Sequence, residues 1–250
     1  MTPTTRVPAL AYRFPAAIGA GLTNRGKVRD KNEDSILTDP SGMLWAVADG
    51  MGGYGHGDVA SDIVIDCLAA IPHDADPPAA LVAQLDQANR MVTLRQQEPG
   101  MGRMGSTVVA MMLTGALAHL AWVGDSRAYL LRAGRLRLLT RDHSVVQDLV
   151  DQGVLTPAEA ETHPESHIIT RAIGGDDGLA VDTASVPLDI GDRLLLCSDG
   201  LTRCVYEQTI EFLLASADTP EQACVALVRE ALDNGAPDNV SVIAVQIVAG

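Results

Sequence analysis

The 250-residue chain is short of positive charge: 18 Lys and Arg stand against 32 Asp and Glu, a formal net charge of −14. No Lys/Arg-rich block offsets this. The densest basic stretch is Arg25, Lys27, Arg29 and Lys31. Nucleic-acid phosphates would be repelled without a concentrated basic patch, so no nucleic-acid partner is expected. The four cysteines, Cys67, Cys197, Cys204 and Cys224, show no CxxC spacing and no histidines at zinc-finger intervals. They read as small hydrophobes of a reducing compartment rather than a disulfide framework or a metal knot. The opening stretch MTPTTRVPALAYRF has no long apolar core, which argues against a signal peptide. No apolar run is long and charge-free enough to span a bilayer, so no membrane partner is expected. There is no Ser/Pro-rich linker and no internal repeat. With 47% apolar residues the chain can bury a sizeable core. The reading is a soluble, cytoplasmic monomer. A loose, flexible leader at residues 1–14 precedes one domain at residues 15–250.

What the chain does have is aspartate at the ends of apolar runs. Asp49 closes MLWAVAD and opens a Gly50-Met51-Gly52-Gly53 turn; Asp125 closes ALAHLAWVGD; Asp199 closes RLLLCSD; Asp238 stands two residues before VSVIAVQIV. Any one of these is an ordinary turn residue, because Asp-Gly is a favoured turn dipeptide. Several meeting at one place would make a hard, oxygen-rich site suited to Mg²⁺ or Mn²⁺.

Periodicity supplies a frame for them. Residues 57–71 and 77–97 carry apolar positions at helical spacing, the first run stopped by Pro72. Residues 106–113, 116–123 and 127–132 are short apolar or alternating runs broken by Thr114-Gly115, Gly124-Asp125 and Ala133-Gly134, which predicts an antiparallel meander with tight hairpins. A polar stretch follows, with short helices at 145–152 and from Thr156. Strands are expected at 181–186, 193–197 and 240–248, and a helix at 207–214. Thr219-Pro220-Glu221-Gln222 has the cap, proline and acid of a helix start, and Gly235 is a natural stop. The order predicts an α+β fold in which helices cover the outer faces of antiparallel sheets, with the aspartates along one edge between the sheets.

Ala48-Asp49-Gly50-Met51-Gly52-Gly53 lets backbone come close to whatever Asp49 binds and leaves the Gly50 carbonyl free as a ligand. Arg29 precedes Glu33-Asp34 by a few residues. Were this segment extended, Arg29 and Glu33 would share a face, with Asp34 on the other. A guanidinium suits a phosphoryl group. Joined to Gly105-Ser106-Thr107, Val123-Gly124-Asp125-Ser126-Arg127, Leu139-Thr140-Arg141-Asp142-His143-Ser144, Cys197-Ser198-Asp199-Gly200-Leu201 and Asp238-Asn239-Val240, these segments form an ordered set. The set resembles the bacterial type of metal-dependent protein serine/threonine phosphatases, the PP2C (PPM) family, over nearly the whole chain.

The resemblance implies an α-β-β-α sandwich around two Mn²⁺ or Mg²⁺ ions, with a third in some members. It implies that Asp49 bridges the two metals, that the Gly50 carbonyl, Asp199 and Asp238 complete one shell, and that Glu33 and Asp34 act largely through bound waters. Asp125 would share the third metal with Asp199. Arg29 would grip the substrate phosphate, Asn239 would orient Asp238 from behind, and residues 144–173 would form a flap. Arg29, Asp34 and Asp49 are the implied catalytic residues. Two cations about 3.5–4 Å apart can acidify a bridging water and hold it in line with phosphorus. The implied substrates are phosphoproteins, among them a Ser/Thr kinase and its targets. The chain departs from the family pattern where Gly53-Tyr54, with His56 following, replaces Gly-Gly-His, and where Gly105-Ser106-Thr107 replaces Gly-Thr-Thr. His163 reads as a surface or packing residue, and His143 as a structural hydrogen-bonding one. Two other readings compete: a binding module that keeps the fold without turnover, and a small-molecule phosphoesterase.

Overall fold

The computed structural model describes residues 15–52, 56–175 and 178–250. Ten strands and seven helices are assigned within them. The strands are β1 (Pro15–Asn24), β2 (Asp34–Thr38), β3 (Leu44–Met51), β4 (Gly105–Thr114), β5 (Leu117–Val123), β6 (Arg127–Arg132), β7 (Arg135–Leu138), β8 (Asp182–Pro187), β9 (Arg193–Cys197) and β10 (Val240–Ala249). The helices are α1 (Gly57–Ala69), α2 (Pro77–Gln96), α3 (Val145–Asp151), α4 (Pro157–Glu161), α5 (Asp199–Thr202), α6 (Glu207–Ser216) and α7 (Pro220–Asp233).

The strands form two five-stranded antiparallel sheets, ordered β1-β10-β9-β6-β7 and β2-β3-β4-β5-β8. Three apolar layers hold the sandwich. In β3, Ala46 and Ala48 face α1 and α2, whereas Trp45 and Val47 face the other sheet. In β9, Leu194 and Leu196 face inward, whereas Leu195 and Cys197 face α5, α6 and α7. Both faces of each central strand are therefore buried. This is why those strands read as continuous apolar runs rather than alternating ones. The α+β sandwich expected from the sequence is the fold observed.

Three local readings need correction. The predicted meander breaks at Gly124: β4 and β5 pair with each other, but β6 pairs with β9 and β7 in the opposite sheet. Gly124 makes the crossing possible, with φ of +104° and no room for a side chain, since a Cβ there would lie 2.5 Å from Thr107. Strand β3 does not end at Asp49 but runs on through Met51, pairing with Gly105 and Ser106. Asp199 does not sit in a turn but is the first residue of α5. The helix starts were well marked: Ser144, Thr156 and Thr219 each accept a backbone N–H as N-caps.

The inter-sheet layer should carry much of the stability. Leu196→Ala, fully buried there, is expected to cost about 2–5 kcal/mol in urea unfolding. Phe212→Ala, on the exposed face of α6, should stay within about 0.5 kcal/mol.

Candidate metal centre

The two sheets bring their acidic residues to one end of the seam between them. From one sheet come Asp34, at the start of β2, and Asp49, in β3; they are direct cross-strand partners. From the other come Asp125, before β6, Asp199, after β9, and Asp238, before β10. Asp49 is the hub, because its carboxyl is in electrostatic reach of Asp34, Asp199, Asp125 and Asp238.

Asp34 joins the sheets. One oxygen, Oδ2, accepts hydrogen bonds from Ser198 Oγ (2.9 Å) and Ser241 Oγ (2.6 Å), both on the opposite sheet's side. Ser198 Oγ in turn accepts from the Ser241 amide (3.0 Å). With the Ser241 proton committed to Asp34, Thr23 Oγ1 donates to Ser241 Oγ (2.7 Å), and Asn32 Nδ2 donates to Thr23 Oγ1 (2.7 Å). The other oxygen, Asp34 Oδ1, is buried without a partner among the described residues, and so is Asp199 Oδ1. Buried carboxylate oxygens are rarely left unpaired. These two are free to take a cation.

The segment leading to Asp34 is not extended, since it bends at Asp30 and Lys31, so the condition for Arg29 and Glu33 to share a strand face is not met. Glu33 caps α1 instead, its Oε1 accepting from the Gly57 amide (3.1 Å), while its carbonyl accepts from Gly50 N (3.1 Å) and Ser61 Oγ (2.6 Å). Gly50 is pressed between these two: a Cβ there would lie 2.1 Å from the Gly57 carbonyl oxygen and 2.5 Å from that of Glu33. Asn239 supports Asp238 through its backbone and the neighbouring loop through its side chain. Its side chain staples the β1–β2 loop, donating to the carbonyls of Arg25 (2.8 Å) and Lys31 (2.9 Å) and accepting from Glu33 N (2.8 Å). It is the Asn239 backbone amide that donates to Asp238 Oδ1 (2.9 Å).

Two arginines supply positive charge. Arg29 donates to Asp238 Oδ2 (2.7 Å), and Arg203 pairs with Asp199 Oδ2 (2.6 Å). No three Asp, Glu, His or Cys side chains among the described residues close into a ready-made ligand shell. The carboxylates nonetheless perturb one another strongly. Burial first, then the neighbouring aspartates, push Asp49 well above the usual carboxylate range. Burial raises Asp34 to about 6, against the pull of its two serine donors. Burial, then Asp199 and Asp142, raise Asp125 to about 7. Burial raises Asp199 as well, partly offset by Arg203. An all-oxygen donor set, two orphaned buried oxygens and mutual repulsion fit hard divalent cations.

Around this centre, His143 takes the structural role expected of it. The ring is fully buried and stacks on Trp122; Nδ1 accepts from Gly124 N (3.0 Å), which places the neutral ring's proton on Nε2, 3.3 Å from Asp182. The His143 backbone closes the clamp, its amide donating to the Gly124 carbonyl (2.9 Å). His163 is partly exposed, and its Nδ1 accepts the local Glu165 amide. Gly53 and Tyr54 lie outside the described residues; His56 stands at the N-cap of α1 without a side-chain cap bond. Cys67, Cys197 and Cys224 are buried, Cys204 partly so, and none is in a disulfide. Burial pushes the Cys197 thiol up to about 12, which leaves no thiolate near neutral pH for nucleophilic attack. The sequence reading missed Ser198 and Ser241 as partners of Asp34. A lone serine inside the apolar run VSVIAVQIV was the available signal.

Fold and site together define a two-sheet, helix-flanked sandwich with an aspartate-lined centre at one end of its seam. Comparison with known proteins gives the family: residues 23–234 match the model of protein phosphatase 2C, and the chain belongs to that family. It is 42% identical over 236 residues to the serine/threonine protein phosphatase PstP of Mycobacterium tuberculosis, covering 92% of this chain but only 45% of that protein. It is 36% identical over 239 residues to the serine/threonine phosphatase stp of Listeria monocytogenes, covering 90% of this chain and 93% of that one. Among solved structures, the catalytic domain of PstP in complex with two manganese ions superposes with a TM-score of 0.85 at 36% identity, covering 94% of this chain and 99% of that one.

Two outcomes follow from the geometry. Asp34 and Asp125 have folded-state values above those of an unfolded chain. The fold therefore holds protons that the unfolded chain releases, and these groups favour folding below about pH 4 and lose that contribution as pH rises through about 7. The melting temperature of chelator-treated protein should fall from pH 5 to pH 8, and added Mn²⁺ should raise it more at pH 8 than at pH 5. Asn239→Ala removes three hydrogen bonds and should cost about 2–4 kcal/mol of stability by urea unfolding.

Proposed function

We propose that this chain is a metal-dependent phosphatase that removes phosphate from phosphoserine and phosphothreonine in proteins. One observation carries the reading. Four aspartates from two sheets of a protein phosphatase 2C fold, Asp34, Asp125, Asp199 and Asp238, converge on Asp49, and two of them keep buried oxygens without partners among the described residues. The activity that the names of the relatives print, and the two manganese ions of the solved PstP domain, support it.

In this reading Asp49, the Gly50 carbonyl, Asp199 and Asp238 hold two divalent cations, Mn²⁺ or Mg²⁺. Glu33 and Asp34 contribute through bound water, and Asp125 with Asp199 holds a third. Such ions supply Lewis-acid polarisation of a phosphoryl oxygen and acidify bound water. The rest falls to the chain. Arg29, more than half exposed and paired with Asp238, can turn its guanidinium to the phosphoryl oxygens. Asp34, fixed through Oδ2, has Oδ1 available to hold or pass a proton. Residues 144–173, carrying α3 and α4, border the substrate as a flap; their ends are tied to the site by the His143–Gly124 and Ile173–Ser106 bonds. The enzyme acts as a cytoplasmic monomer on a Ser/Thr kinase and that kinase's targets. No helix among the described residues is long and apolar enough to cross a membrane.

The test is phosphate release from a phosphothreonine peptide by purified protein with Mn²⁺; no metal-stimulated release would overturn the reading. Asp49→Asn should lower turnover about a thousandfold or more. Asp125→Asn should lower it about tenfold while leaving two manganese ions bound in calorimetry. Equal loss of metal binding in both variants would contradict the division of roles.

A further inference from the structure

The basic stretch at residues 25–31 is used by the phosphatase reading only at Arg29. The chain contains two lysines, Lys27 and Lys31, and both are in this stretch. With Arg25 and Arg29 they place four cations in seven residues of a protein whose net charge is −14. Like charges so spaced repel one another, and two of the four, Arg29 and Lys31, stand against the carboxylates of Asp238 and Asp58. Arg25, Lys27 and Arg29 are exposed, Arg25 donating to the Asp30 carbonyl (3.3 Å) of its own loop. Lys27 forms no ion pair among the described residues. The loop is held by its backbone: Lys27 N donates to the Ala236 carbonyl (2.9 Å), and Asn239 grips both ends.

The loop also borders the acidic centre. Gly26, at φ of +74°, packs so tightly on Asp238 that a Cβ would lie 2.1 Å from the Asp238 carbonyl oxygen. Arg29 reaches the Asp238 carboxylate, and Lys31 Nζ stands 3.8 Å from Asp58 in the first turn of α1. The acids among them are Asp30, Glu33, Asp58 and Asp238. Val28, 68% exposed, stands between the cations as an apolar contact. A phosphorylated substrate is an anion approaching an acidic protein, and a local positive rim is what can draw it in.

We propose that the β1–β2 loop is the rim that receives the polypeptide flanking the phosphorylated residue, and that the flank it selects carries acidic side chains. The proposal rests on the phosphatase reading and adds the substrate class. Lys27 and Lys31 pair with aspartates or glutamates beside the phosphoresidue while Arg29 serves the phosphate. Because these pairs are solvent-exposed, their effect is modest and salt-sensitive.

The experiment compares two phosphothreonine peptides with Mn²⁺, one flanked by Asp and Glu, the other by Ser and Gln. The expected kcat/KM ratio favours the acidic peptide about three- to tenfold at low ionic strength. It should collapse towards one in about 0.5 M salt. It should also collapse or invert in the Lys27→Glu/Lys31→Glu double variant, but persist in Lys27→Arg/Lys31→Arg. Turnover of p-nitrophenyl phosphate by the unsubstituted protein reports the phosphatase reading separately. Its absence overturns that reading and this proposal with it. Turnover accompanied by a ratio near one at low salt, or by a ratio that the double charge reversal leaves intact, overturns the rim alone.

Discussion

The arrangement depends on holding like charges together. Asp34, Asp49, Asp125, Asp199 and Asp238 share one end of the inter-sheet seam, and their mutual repulsion opposes the fold. Three apolar layers, built along the strands and away from this end, bear that load. Asp34 then turns one of the charges into a connection. Two serine hydroxyls of one sheet donate to a carboxylate of the other, so a group that costs free energy to bury also sets how the sheets meet.

Because each sheet supplies only part of the centre, the site exists only when the sheets stack correctly. Asp34 and Asp49 are fixed as neighbours by the β2–β3 register. Asp199 and Asp238 are fixed to each other by the β9–β10 pairing, where Cys197 opposes Val242 and Ser198 exchanges hydrogen bonds with Ser241. Gly124 ties in Asp125, since the chain changes sheets there and His143 clamps both its amide and its carbonyl. Packing between Trp45, Leu194, Leu196 and Ile243 is thus part of the site's geometry as well as of its stability.

The sequence made the strand-end aspartates, the helix starts and the layered fold legible because each leaves a local mark: an apolar run that ends in Asp, a Thr-Pro cap, a change of period. What it hid depends on long-range pairing. The jump of β6 to the opposite sheet leaves no local mark, since Gly124-Asp125 also reads as a hairpin turn. Strand β1 was not delimited, although it pairs with β10 along its whole length. Asn239 follows Asp238 directly and was read as its support, but its side chain reaches back more than 200 residues to the β1–β2 loop. Adjacency in sequence pointed to the backbone contact between the two but not to the side chain's distant partners.

The same hydrogen bonds divide the centre into fixed and exchangeable parts. Asp34 is buried and doubly bonded through Oδ2, so moving it would strand two buried hydroxyls, Ser198 and Ser241. Arg29–Asp238 is different: the guanidinium is more than half exposed, and an exposed ion pair contributes about 1 kcal/mol or less. Arg203–Asp199 lies between, with a well-buried carboxylate and a partly exposed arginine. A cation competing for Asp238, or a phosphoryl group competing for Arg29, therefore displaces a weak interaction, whereas the Asp34–serine network holds the surrounding backbone still. The centre can exchange partners at its mouth because its root is locked across the two sheets.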